Sequence, residues 1–324
     1  MPEASAPVLR GIEIHLVFAT LVALAAWALT SSRRGSATVK YWIWVATSVN
    51  FVLPLGSILD RLWSPRITWL LPLRDLGMNA AGNRVAAAAV GAAWALGAAL
   101  MGVRLLRRVR ADVGARPGAR PERRESDDPG IVLARGVPVR FDAEAGTPAV
   151  DGLLRPRISL PAGIERLLTG PELDAVLLHE LTHARRRDNL IRLVHEIGVC
   201  AFWFHPLVWF AGSRLARYRE LSCDEHVIRG ARGEALVSAL AKLANPAETL
   251  LLQAGASSFV ADRVASLLSP RRSSPAASAV CAVLFGAVLL SAILASAFQS
   301  NLMHRAALGE FCPNLRAELA ARAK

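Results

Sequence analysis

The sequence predicts a mainly α membrane protein: four transmembrane helices, with an α+β domain set between the third and the fourth. Three observations carry that prediction. The 324-residue chain is 53% hydrophobic with a mean hydropathy of +0.35, high for a soluble protein. Four stretches, 11–30, 41–59, 85–103 and 278–298, approach the roughly 20 apolar residues that cross a bilayer. Between the last two lies a long segment in which short strand-like runs give way to amphipathic helices.

The first stretch, "GIEIHLVFATLVALAAWALT", follows "MPEASAPVLR", which carries one basic and one acidic residue and lacks the charged leader of a cleaved signal. It is expected to be a retained anchor, with Glu13 and His15 at the interface, since charge at mid-bilayer is costly. The second holds Pro54. The third, "VAAAAVGAAWALGAALMGV", is built of small residues that let helices approach closely. Arg33, Arg34 and Lys40 flank the 31–40 turn, Arg104, Arg107, Arg108 and Arg110 follow the third span, and Arg271 and Arg272 precede the fourth. The opposite side has Arg61, Arg66, Arg74 and Arg84, partly offset by Asp60 and Asp75. The positive-inside bias puts the N-terminus outside, the stretch from 104 to 277 in the cytosol, and the C-terminus outside, as in a multi-pass cell-membrane protein.

The domains expected are a three-helix transmembrane region (1–110), a linker (111–130), a cytosolic domain (131–277), the fourth transmembrane helix (278–298) and a short extracytoplasmic tail (299–324). The net charge of +12 gathers around the spans, where it favours anionic lipid head groups, and no nucleic-acid module is present, so direct nucleic-acid binding is not expected. Cys200, Cys223, Cys281 and Cys312 form neither a disulfide framework nor a zinc ribbon.

Within the cytosolic domain, "GIVLA", "VPVRF" and "RISLP" read as strands of a small sheet. Thr169 and Glu172, with Pro171 between them, form a capping box that opens a helix running to about residue 187. The apolar stretch 190–212 resembles a fifth span, interrupted at His205–Pro206. Residues 213–229 and 234–268 have helical character, and 269–278 is a linker into the last span.

The first of these helices carries "HELTH". Residues four apart on an α-helix point within about 40° of each other, so His179 and His183 can grip one ion, while Glu180, about 100° round, can reach a water on it. This is the His-Glu-x-x-His pattern of zinc hydrolases, and a catalytic zinc needs a third protein ligand plus an open position. "YRELSCDEH" supplies Glu220 for that place, with Asp224 one turn further on the same face to accept the second ring N–H of a ligating histidine. If 190–212 crossed the bilayer, Glu220 would lie on the wrong side of it. The stretch must therefore lie on the surface or dip in and return. His195, Glu196 and His205 are left out of the site, and His226 is noted as an oxyanion candidate.

"GLLRPRISLP", "HELTHARRRDN", "FHPLVW" and "RELSCDE", in this order relative to the spans, resemble the BlaR/MecR-type membrane metallopeptidases, the β-lactam-sensing antirepressor proteases. That resemblance covers roughly 10–298. It implies a cytosolic gluzincin-like zinc domain with His179, His183 and Glu220 on Zn2+, Glu180 as general base and Asp224 behind the ligands. It likens the strand at 157–160 to an edge strand that pairs with extended substrate. The implied substrate is a cytosolic transcriptional repressor. Self-cleavage at Arg271–Arg272 is a second possibility, and a homodimer is an open expectation. Only 26 residues follow Phe298, without a Ser-x-x-Lys motif, so β-lactam sensing by a penicillin-binding domain of this chain is not expected. Two other readings stay open: a membrane quality-control zinc protease of the HtpX type, and a membrane receptor whose zinc is structural.

Overall fold

A computed structural model describes residues 6–32, 35–53, 55, 58, 84–114, 136–142, 145–243, 257–268 and 274–297. The protein is mainly helical. In chain order the elements are α1 (Ala6–Ser31), α2 (Ala37–Val52), α3 (Arg84–Gly114), β1 (Val139–Asp142), β2 (Ala149–Asp151) and β3 (Arg157–Pro161). Then come α4 (Ile164–Leu167), α5 (Gly170–Arg186), α6 (Asp188–Ala201), α7 (Pro206–Arg229), α8 (Gly233–Leu243) and α9 (Ser257–Leu268). The last helix, α10, is Pro275–Ala297.

Among the described residues two helices are long and apolar enough to cross a membrane, Ala88–Arg110 within α3 and Pro275–Ala297. Both are mostly unburied by protein, and Val90, Leu96 and Leu100 on α3 are more than half exposed, the surface lipid would cover. The apolar part of α1, His15–Ser31, and the 16-residue α2 are shorter. Helix α2 ends at Val52, inside the second expected span, and Leu55 and Ile58 beyond it are again helical. Helix α3 continues through Gly114, so the first four residues assigned to a linker are helical, and the rest of that linker lies outside the described residues. "GIVLA", the 60–83 loop, Arg271–Arg272 and the tail also lie outside them.

The sheet has the order β1-β3-β2, with β1 parallel and β2 antiparallel to β3. Ile158 is paired with Val139 on one side and Val150 on the other, so β3 is central. The expectation that it is an edge strand free to pair with substrate is therefore corrected. Strand order is set by partners distant in sequence, which the strand's own residues do not reveal. Gly152, which turns β2 toward β3, has φ +85° and stands where a Cβ would come 2.6 Å from the Arg155 carbonyl oxygen, so only glycine fits. Ile158 and Leu160 pack beneath α5 against Leu173, Val176, Leu177 and Leu181, with Val227 of α7, Leu236 of α8 and Leu267 of α9 closing the core.

Helix α5 opens on the expected capping box: Glu172 accepts the Thr169 backbone N–H at 2.7 Å. Its carboxylate also accepts from Lys242 (2.7 Å) and Ser238 (2.5 Å) of α8. Those donors, Lys242 foremost, pull its pKa down to about 2.

The stretch 190–212 forms a helical hairpin. Helix α6 ends at Ala201, the chain turns through Phe202–His205, and α7 begins with Pro206 in its first turn, where a missing N–H is harmless. The tip lies deep along α1 and α2: His205 pairs with Thr20 Oγ1 at 3.1 Å, and its ring packs on Phe51. The middle of α7 reaches the end of α1, where Tyr218 donates to the Thr30 carbonyl at 3.0 Å. The hairpin thus runs out and back alongside α1 and α2, so that Arg186 bridges Asp188 at the start of α6 and the Arg219 carbonyl in the middle of α7. His15, expected at an interface, is buried against the same pair and donates to the Phe51 carbonyl at 3.2 Å.

One helix, α7, spans both halves of the molecule. Its first half packs Ala211, Leu215 and Tyr218 among Val22, Trp44 and Phe285 of α1, α2 and α10, while Val227 near its end is in the core under the sheet. On the outer side of the hairpin, Trp94 of α3 donates to the Ala201 carbonyl (3.0 Å), and Trp203 donates back to the Trp94 carbonyl (3.2 Å). Gly97 permits this approach: a Cβ there would lie 2.1 Å from the Trp203 ring. Gly97→Leu is expected to push α3 off the hairpin, destabilising the detergent-solubilised protein by about 1–3 kcal/mol. Its thermal midpoint, followed by Trp fluorescence, checks this.

Candidate metal centre

His179 and His183 face inward from α5, and Glu220 meets them from the middle of α7. Nε2 of His179 is 3.2 Å from Nε2 of His183 and 3.4 Å from Oε2 of Glu220, and the third side of the triangle is 3.7 Å. A tetrahedral zinc with ligands at about 2.0–2.1 Å spaces its donor atoms roughly 3.3–3.4 Å apart. The triangle has that size, so the donor set fits the ion. Both imidazoles are buried, and so is Glu180, one residue round the helix from His179.

Each histidine turns its other nitrogen toward a carboxylate. Asp188 Oδ2 lies 2.6 Å from Nδ1 of His183 and also accepts from Arg186 at 2.7 Å, while its Oδ1 accepts the Tyr41 hydroxyl at 2.7 Å. Asp224, fully buried, has Oδ1 3.1 Å from Nδ1 of His179. That contact is an ion-pair distance rather than an aligned hydrogen bond, since Nδ1 of His179 has no partner along its N–H direction. Arg263 of α9 clamps Asp224 with two hydrogen bonds of 2.8 Å and reaches Glu220 Oε2 at 3.6 Å. Arg219 holds the other Glu220 oxygen at 3.0 Å.

Three of these partners were not evident in the sequence. Asp188 reaches back to His183 because Arg187 adopts a left-handed conformation (φ 56°) that ends α5 and starts α6 within one residue. A non-glycine residue rarely adopts that conformation, so nothing in "HARRRD" announces the turn. Asn189 then ties the corner to the sheet, donating to the Val150 carbonyl at 2.8 Å. Arg263 comes from a helix far along the chain, and Tyr41 from α2.

The residues left out of the site are apart from it. His195 pairs with Ser48 at 3.2 Å, and Glu196 pairs with Arg108 and Arg192. His226 is exposed on α7. It stands two residues from inward-facing Asp224, about 200° round the helix, so the geometry does not bring it to the site.

A second donor set shares the same histidines: ligating atoms of His179, His183 and Cys223 lie within 4.8 Å of one another. Cys223 Sγ approaches Nδ1 of His183 at 3.5 Å, the nitrogen already engaged by Asp188, and Arg186 directs a guanidinium nitrogen at the sulfur from 2.9 Å.

The histidines and carboxylates of the site shift one another's titration. Burial opposes charge on His179, but Asp224 and Glu220 outweigh it and raise its pKa to about 9. Burial likewise opposes charge on His183, yet Asp188 raises it well above the usual imidazole value. Burial would raise Glu220, but the two histidines hold its carboxyl well below the ordinary range. A metal must therefore displace imidazole protons, since only neutral histidine ligates. Zinc uptake at pH 7 is expected to release protons, and affinity is expected to rise as pH climbs toward about 9, where His179 deprotonates unaided. Calorimetry in two buffers of different ionisation enthalpy reads the release, and pH-independent affinity would contradict it.

Paired histidines one helical turn apart, a buried glutamate between them and a carboxylate from a second helix define the class: a His-Glu-x-x-His protein with the donor set of a metallopeptidase. A family model described as BlaR1 peptidase M56 matches residues 11–267, and the chain belongs to that peptidase family. It is similar to the regulatory protein BlaR1 of Bacillus licheniformis, 33% identical over 99 residues, which is 31% of this chain and 15% of that protein. It is also similar to the methicillin resistance mecR1 proteins of Staphylococcus aureus and Staphylococcus epidermidis, each 24% identical over 93 residues, 29% of this chain and 16% of theirs. The matches thus span about one sixth of the length of these relatives.

Proposed function

We propose that this protein is an integral membrane zinc endopeptidase of BlaR/MecR type that cleaves a cytosolic protein in transmembrane signalling. One observation carries the reading: the triangle of two imidazole nitrogens and a carboxylate oxygen with sides of 3.2, 3.4 and 3.7 Å. His179, His183 and Glu220 would hold Zn2+. Asp188 and Asp224 fix the two imidazoles and keep them basic enough to ligate. Glu220 is favoured over Cys223 as third ligand because it leaves both Nδ1 atoms to their carboxylates. Cys223 would have to compete with Asp188 for His183.

Bound there, zinc would supply a Lewis acid for a peptide carbonyl and an acidified water. Glu180 accepts the proton of that water on its carboxylate and returns it to the departing amine nitrogen. Its burial beside His179 keeps bulk water from competing for that proton. Arg219 and Arg263 hold Glu220 from both sides, so its oxygen does not swing away between turnovers.

The membrane reading is of four spans, α1, α2, α3 and α10, with the hairpin of α6 and α7 entering from the cytosolic side and the sheet and site in the cytosol. The name of the BlaR1 relative, a regulatory protein, speaks for regulation, and the proposed substrate is a transcriptional repressor. The test compares the new protein N-termini in cells expressing the wild type and Glu180→Gln. One or a few wild-type-dependent cleavages in a soluble DNA-binding protein support the reading. Many cleavages spread over misfolded membrane proteins favour quality control instead, and identical N-termini in both strains end the peptidase assignment.

A further inference from the structure

Between α3, α6 and α7 lies a cavity of about 540 Å³ that the peptidase chemistry does not use. Its size falls within the range of small-ligand sites, about 300–1,000 Å³. The lining changes character along its length in the same direction on all three helices. At one end stand Arg104 and Arg108 of α3, Arg192 of α6 and Arg219 of α7. At the other stand Met101, Val199 and Trp209, one from each helix. Trp209 and Arg219 are separated by about 15 Å of helix. The cavity is thus basic at one end and apolar at the other.

Its acids offset the basic end only in part: Glu196 serves two arginines at once, and Arg219 shares its guanidinium with Glu220. The two lining carboxylates are Asp188, engaged by His183, Arg186 and Tyr41, and Glu196, which pairs with Arg108 and Arg192. Arg104 lies exposed in the last turns of a membrane-length helix, the level at which lipid head groups sit. The neighbouring face of α3 is bare and apolar, with Leu100 55% exposed. A free anion would satisfy only the arginines, whereas an amphiphile satisfies both ends at once.

We propose that this cavity binds an anionic phospholipid, its phosphate on Arg104, Arg192 and Arg219 and the upper part of one acyl chain against Met101, Val199 and Trp209. The proposal rests on the reading that α3 spans the membrane. The headgroup end lies one contact from the metal centre, because Arg219 also holds Glu220 and Asp188 also holds His183.

Lipid binding is read without zinc or activity. The full chain, purified in mild detergent, is exposed to equal phosphatidylglycerol and phosphatidylcholine, and retained lipid is counted by native mass spectrometry. Wild type is expected to prefer phosphatidylglycerol, and Arg104→Gln with Arg192→Gln to lower that preference roughly 25-fold, about fivefold per arginine. Leu105→Trp, which fills the cavity and keeps every charge, is expected to retain neither lipid, with Val199→Phe as the second filling variant. Unchanged preference in the arginine variant, or lipid retained by the filled cavity, overturns the proposal. Displacement of the lipid by inorganic phosphate alone would show a free-anion site and overturn it too. Carbonate extraction separately tests the spanning of α3: release of the chain from membranes removes the foundation of the lipid site while leaving the metal centre intact.

Discussion

Glu180→Gln is expected to leave the protein folded and zinc-loaded while peptide hydrolysis falls by at least about 10²–10⁴-fold. The amide has nearly the shape of the carboxylate, so the buried space beside His179 stays filled. What it loses is the ability to accept a proton from water and hand it to the leaving nitrogen. The three donor atoms of the proposed zinc site belong to other residues, so metal content measured by elemental analysis is expected to match wild type. Retained zinc with lost cleavage of a peptide library places the effect in proton transfer. Undiminished cleavage would remove Glu180 from the chemistry.

Glu220→Ala is expected to act at the earlier step and lose the metal. Outer carboxylates such as Asp188 cost about 10–100-fold in metal affinity when changed, and removal of a direct ligand is expected to exceed that. The truncation also leaves the guanidinium groups of Arg219 and Arg263 facing a cavity where a carboxylate stood, adding uncompensated positive charge beside an incoming cation. Asp188→Asn is expected to fall in the 10–100-fold range, because it keeps a partner for Tyr41 but weakens the bond that orients His183. Cys223→Ser separates the two donor sets: it is expected to leave zinc affinity unchanged within a few-fold. Competition against a chromogenic chelator ranks all three variants on one scale.

The order of these effects reflects how the site is encoded. His179 and His183 could be read from spacing because one helical turn brings them to a common face, and Glu180 because it stands about 100° round, within reach of a water on the same ion. Thr169 and Glu172 could be read because a capping box is complete within four residues. The break at His205–Pro206 could be read because proline cannot continue a helix. Glu220 is legible only through the need of a two-histidine site for a third ligand, and a ligand at that position requires 190–212 to turn back. What was not legible depends on contacts between distant segments. The place of β3 in the sheet depends on which strands flank it, and Ile158 reads the same at an edge or in the middle. The carboxylate of Asp188 is aimed by an unusual backbone angle at Arg187, and Arg263 reaches Asp224 from a helix on the far side of the core. The extent of the membrane helices follows the same pattern, since composition marks apolar stretches but not where a helix stops.

Two imidazoles and one carboxylate are proposed to hold the zinc. X-ray absorption at the zinc edge of the purified, metal-loaded protein tests this most directly. The prediction is a first shell of nitrogen and oxygen alone at about 2.0–2.1 Å, unchanged in Cys223→Ser. A sulfur scatterer at about 2.3 Å, or a preparation that takes up no zinc, would contradict it.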